Sequence, residues 1–86
     1  MKVTEGAKKI LAVMLQTVIS VGNLESSFFI NTNQLASDLD MESENFCVVC
    51  CHYLNQLGYI KIIRKDDNGS RLVELKAAGI DFLETT

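Results

Sequence analysis

The sequence predicts a single α+β domain, residues 1–86, in which residues 30–75 form a helix-turn-helix followed by a β-hairpin. Three observations carry this expectation. Apolar residues recur at three- and four-residue steps through the first twenty positions, the stripe of an amphipathic helix. Two further short helical patterns, each preceded by capping residues, are separated by Asp40-Met41-Glu42. Last, Asn68-Gly69 lies between two β-rich runs, and Asn-Gly in that setting is the strongest short-range hairpin signal.

The first helix is expected over residues 4–21, with Ala7, Ile10, Leu11, Met14, Leu15 and Val18 along its apolar stripe. Thr4 offers an N-cap and Glu5 a favourable charge in the first turn. Gly22-Asn23 ends it, since both residues tolerate the left-handed conformation of a C-cap. Val13 and Ile19 widen the stripe toward a second apolar face, as a partner surface would. After a loop at Glu25-Ser26-Ser27, Phe28-Phe29-Ile30 is a short strand of β-formers.

Asn31, Thr32 and Asn33 each offer a cap for a second helix at 33–39, with Leu35, Ala36 and Leu39 inward. Ser43 caps a third helix at 44–57, which Gly58 terminates. Cys47, Cys50, Cys51, Leu54 and Leu57 share one face of it, and Val49, His52, Tyr53 and Gln56 fall on the other. Residues 59–64 and 70–75 are the hairpin strands. A short closing helix over 76–83 turns Ala77, Ile80 and Leu83 inward.

Bulk properties narrow the class. A chain this short buries about 60–65% of the surface that it exposes when unfolded, so its core is modest and dimerisation would help it. The uncharged stretch from Ile10 to Leu24 contains Gln16, Thr17, Ser20, Gly22 and Asn23, too short and polar for a bilayer span. No clean signal-peptide cleavage site follows Met14–Val21. The three cysteines, an odd number clustered within five residues, suit a reducing compartment and not a disulfide framework. A cytoplasmic protein is expected, with no membrane partner.

This order of elements resembles a winged helix-turn-helix, the three-helix core having a short first strand, a β-hairpin wing and a short C-terminal helix. Ala36, Leu39, Met41, Leu54, Gly58 and Ile60 carry the resemblance. Small Ala36 allows close helix approach, Met41 plugs the turn, and Gly58 reverses the chain. Leu75-x-x-x-Gly79-x-x-x-Leu83 is similar to the segment after the wing in bacterial regulators of the MarR and PadR kind. The small YjcQ-like winged-helix proteins of bacteria and their phages are similar as well. The resemblance implies a DNA-binding transcription regulator whose third helix enters the major groove while the wing touches backbone or minor groove. It would place Ser43, Asn45, Val49, His52, Tyr53 and Gln56 in the groove, and Lys61, Arg64, Lys65, Asn68 and Arg71 on the wing.

Charge departs from that pattern. Residues 10–60 carry five acids and no Lys or Arg, a net −5, whereas the flanks hold all eight cations against six acids, a net +2. Phosphate contacts supply most DNA affinity, and guanine is read chiefly by Arg or Lys. The third helix offers instead two amides suited to adenine (Asn45 and Gln56), and Val49 for a thymine methyl. Asp40, Glu42 and Glu44 suit the N-terminus of the third helix, yet they repel phosphates. The wing is better supplied, with Lys8 and Lys9 as candidate neighbours.

Cys47-x-x-Cys50-Cys51-His52 invites a metal reading. A structural zinc site wants four converging ligands, usually from two elements, and His52 points away from the cysteines on a helix. Free cysteine packs as a small buried hydrophobe, and that is the expected role. The Cys47-x-x-Cys50 spacing lacks the βαβ context of a redox site. With one histidine, no glycine-rich phosphate loop and no paired carboxylates, neither an enzyme nor a cofactor is expected.

Two functions follow. One is a homodimeric DNA-binding regulator, its subunits joined through the first helix at Val13 and Ile19 or the closing helix at Phe82, reading a pseudo-palindrome. The other is a winged-helix module that binds a protein partner through the third helix, since fold alone does not fix function. They differ in whether Lys8, Lys9, Lys61, Arg64, Lys65 and Arg71 form one basic patch beside the third helix.

Overall fold

A helix, a strand, two helices, two strands and a closing helix follow one another in the computed structural model, which describes residues 1–85. They are α1 (Val3–Val21), β1 (Ser27–Asn31), α2 (Thr32–Asp38), α3 (Glu44–Gln56), β2 (Ile60–Lys65), β3 (Ser70–Leu75) and α4 (Ala77–Glu84). The strands form one antiparallel sheet in the order β1-β3-β2. The α+β class and the element order agree with the sequence. Among the described residues no helix is long and apolar enough to cross a membrane.

The core lies where α1 and α3 cross and where both meet the inner face of the sheet. Ile10, Leu11, Met14, Leu54, Ile60, Val73 and Leu75 are all but inaccessible there. Each such side chain contributes about 1.5–3 kcal/mol by leaving water. Gly6 lets α1 approach α3 closely, since a Cβ on it would lie 2.7 Å from Cys50 Sγ and 2.9 Å from Phe46 Cε2.

The helix ends follow capping chemistry, with one correction. Asn31 Oδ1 accepts from the Gln34 N–H at 2.9 Å, and Ser43 Oγ accepts from the Phe46 N–H at 3.1 Å. Thr4, however, lies inside α1; Lys2 occupies the cap and makes no side-chain cap bond. The chain leaves α2 through left-handed Asp40 (φ 59°) and leaves α3 through left-handed Gly58 (φ 76°). In both, the next N–H reaches back five residues: Met41 to the Ala36 carbonyl, Tyr59 to the Leu54 carbonyl. This reach of five residues closes a helix end on a left-handed residue.

Two residues expected inward face solvent. Leu57 is 44% exposed because it follows the last helical residue and leaves the stripe. Ala77 is exposed in the first turn of α4, and Gly79 is the buried residue of that helix. The hairpin turn falls in the expected loop. Asp66 N–H donates to the Ser70 carbonyl and Gly69 N–H to the Asp66 carbonyl, so Asp67 and Asn68 are central and left-handed Gly69 follows them. Asn68-Gly69 here closes a turn of more than two residues. Opposite it, β2 carries a bulge between Ile62 and Arg64.

Candidate functional site

On α3 the buried face is sulfur-rich. Cys47, Cys50, Cys51 and Leu54 point into the core, as the three- and four-residue spacing dictates. All three cysteines are free thiols. The Cys51 thiol hydrogen-bonds the Cys47 sulfur, which holds the Cys47 pKa below its ordinary value and pushes that of Cys51 up. Burial raises the Cys50 thiol to about 11, helped by Cys47 and Glu42. Cys50 Sγ also lies 3.7 Å from the Val3 carbonyl, a long contact that ties it to the start of α1. Among the described residues no group of three or more His, Cys, Asp or Glu is arranged to hold a metal ion.

The opposite face of α3 is open. Val49 is 53% exposed, His52 and Gln56 are exposed, and Tyr53 is half-buried. Together with Val3 these four residues line a shallow recess of about 380 Å³. Val3 is the member that sequence reasoning missed. Only the close approach at Gly6 brings the start of α1 beside α3, and a lone glycine in a helical pattern gives little sign of that. The Met1 ammonium, just before α1, pairs with Glu42 at 3.1 Å.

The six groove-facing candidates are therefore split. Val49, His52, Tyr53 and Gln56 share the recess, while the Ser43 hydroxyl is occupied as a cap. Asn45 faces the hairpin, in a second recess shared with Lys65, Asn68, Glu44 and Thr32. Asn68 serves the turn itself: its Oδ1 accepts from the Ser70 N–H at 3.0 Å, and its carbonyl faces Asn31 Nδ2 at 3.4 Å.

Two of the four hairpin cations are committed within the chain. Arg71, expected to touch phosphate, is only 2% exposed. It alternates in phase with buried Val73 and Leu75, so its side chain enters the domain. There Nη1 donates to Thr32 Oγ1 and to the Gly69 carbonyl, each at 3.2 Å, and Thr32 donates to Glu44 Oε2 at 2.8 Å. Arg64 pairs with Asp66 at 3.0 Å and lies over the Phe29 ring, 5.4 Å from its centre. Lys61 and Lys65 are exposed, and Lys61 stands opposite Glu74.

The cations of α1 do not extend this set. Lys8 lies 5.2 Å over Phe82, whose ring stacks on Tyr59 at 4.8 Å. Phe82 is thus engaged inside the chain. Lys9 shares an apolar groove with Val13, Leu39, Asp38 and Asp40 at the C-terminal end of α2. The hairpin turn packs at the other end of that helix, on Thr32. Comparison with protein-family models, with curated proteins and with solved structures finds no match to this chain.

Proposed function

We propose that this chain is a winged-helix domain that binds a protein partner through the open face of α3. The succession of α1, β1, α2, α3, β2 and β3, with the turn after α2 plugged by half-buried Met41, supports the winged-helix assignment. The observation that carries the function is the cation-free recess on α3, where exposed Val49 sits with Val3 and Tyr53. An apolar patch bordered by polar groups is the usual anatomy of a protein interface.

DNA binding and transcription regulation, which the family resemblance implies, receive less support. Affinity for DNA grows with the number of phosphates neutralised. With Arg71 buried and Arg64 paired, Lys61 and Lys65 are what the hairpin presents, beside Asp66 and Asp67. Two such contacts give a salt slope of only about −2.

The test compares two pairs of variants. Val49→Asp and Tyr53→Ala should abolish capture of the partner from an extract of the source cells, with the far-UV spectrum unchanged. Lys61→Ala with Lys65→Ala should leave capture intact. Titration with mixed-sequence duplex at about 50 mM salt should show no binding below about 10 μM protein. Micromolar duplex binding that the double lysine variant weakens tenfold would replace this reading with the DNA-binding one.

A further inference from the structure

The two edges of the sheet are built differently. β2 bears Lys61, Arg64 and Lys65 and a bulge, the features by which proteins keep an edge strand from pairing. β1 has the sequence Ser-Phe-Phe-Ile-Asn, with no charge, no proline and no irregularity in its register. We propose that β1 is a homodimer interface, pairing antiparallel with β1 of a second copy about a two-fold axis at Phe29 to make one six-stranded sheet.

The backbone of β1 is set for this. Thr32 N–H donates to the Gly69 carbonyl, in register with the β1–β3 ladder. Antiparallel ladders alternate, so Ile30 and Phe28 bond to β3, and the N–H and C=O of Ser27 and Phe29 turn to the open side. Phe29 opposite the partner's Phe29 then exchanges two hydrogen bonds across the axis.

Side chains agree with the same register. The two Phe29 rings, each 55% exposed in the single chain, meet on the outer face as an aromatic cross-strand pair. On the inner face half-buried Phe28 meets the partner's Ile30, and on the outer face Ser27 meets the partner's Asn31. No like charges are brought together. The same operation at β2, centred on Ile63, would set Lys61 against the partner's Lys65. A second copy is therefore the occupant that β1 fits, and a domain this small gains most from the added core.

Sedimentation equilibrium of the wild-type chain up to about 100 μM should give a dimer. Phe29→Pro removes an N–H that β3 does not use, a substitution tolerated on an edge strand, and should give a folded monomer. Phe29→Lys should do the same through like-charge repulsion. Phe29→Cys places two thiols across the axis at a Cα separation of about 5.5 Å, within disulfide range, and should oxidise to a covalent dimer. Ser27→Cys, facing Asn31, should do so at least tenfold more slowly, and the three native cysteines are buried. A wild-type monomer throughout, a dimer unchanged in Phe29→Pro and Phe29→Lys, or equal cross-linking at 27 and 29 would overturn the proposal. Should both edge variants unfold, the cross-linking comparison decides alone.

Discussion

Arg71 Nη1 donates to the Thr32 hydroxyl oxygen at 3.2 Å across 39 residues of sequence. That hydroxyl donates in turn to Glu44 in the first turn of α3, so one arginine moors the hairpin to α2 and α3 together. The guanidinium spends its charge on this network, and its Nε has no hydrogen-bond partner among the described residues.

Arg71→Ala should therefore act on stability. It withdraws donors from Thr32 and the Gly69 carbonyl and opens a cavity where the stem packed. A loss of about 2–4 kcal/mol is expected in urea unfolding, the range for breaking a buried polar network. Lys65→Ala, on the exposed side of the same hairpin, should stay within about 0.5 kcal/mol. Equal midpoints for the two variants would show that Arg71 carries no structural load.

Gly79 tests a steric account. A Cβ there would overlap the Tyr59 carbonyl oxygen and come within 3.2 Å of Leu11 Cδ2. Alanine gains about 0.5–1 kcal/mol of helix propensity over glycine, while overpacking costs about 1–3 kcal/mol. The clash wins, because the obstacle is backbone. Gly79→Ala should lower stability by about 1–2 kcal/mol. Gly6→Ala should cost less, since Cys50 Sγ and Phe46 Cε2 belong to side chains that can turn aside. A stabilised Gly79→Ala would refute the packing of α4 on the Tyr59 segment.

Much of this fold was legible from local chemistry. Ser43, Gly22 and Gly58 mark helix ends through capping, and the cysteine stripe of α3 follows from helical spacing. These depend on a few neighbouring residues, which a sequence displays directly. Arg71 shows the opposite case: the alternation that predicts β3 also puts it in phase with Val73 and Leu75, but its charge argued for the surface. What would satisfy it, Thr32 and the Gly69 carbonyl, belongs to a packing of the hairpin on α2 that no local pattern encodes. Val3 entered the α3 recess unannounced for the same reason, through a helix crossing.

Asp40 gives a prediction about the turn between α2 and α3. It holds φ 59° at the position after the C-cap, where its N–H reaches the Ser37 carbonyl and the following Met41 N–H the Ala36 carbonyl. Glycine is the residue of choice there, since a Cβ in the left-handed region is crowded. Asp40→Gly should raise the unfolding free energy by up to about 1 kcal/mol, and Asp40→Val should lower it by about 1–2 kcal/mol. A β-branched residue tolerated at no cost would mean that this turn opens in solution.

The thiols predict an alkaline limit to stability. Cys50 titrates near 9 in an open chain and at about 11 when folded, because burial disfavours its thiolate. A group whose folded pKa is raised holds its proton in the native state after the unfolded chain has lost it. Its stabilisation is complete below about pH 9 and is lost as pH rises toward 11. Cys51, also raised, acts in the same direction, and Cys47, lowered by the Cys51 hydrogen bond, opposes it. The useful quantity is the difference between wild type and a variant that lacks the thiol. Cys50→Ala should start from a lower melting temperature at about pH 7, having lost packing. The gap to wild type should then narrow steadily between about pH 9 and 11. Parallel melting curves across that interval would show that Cys50 reaches water in the folded state.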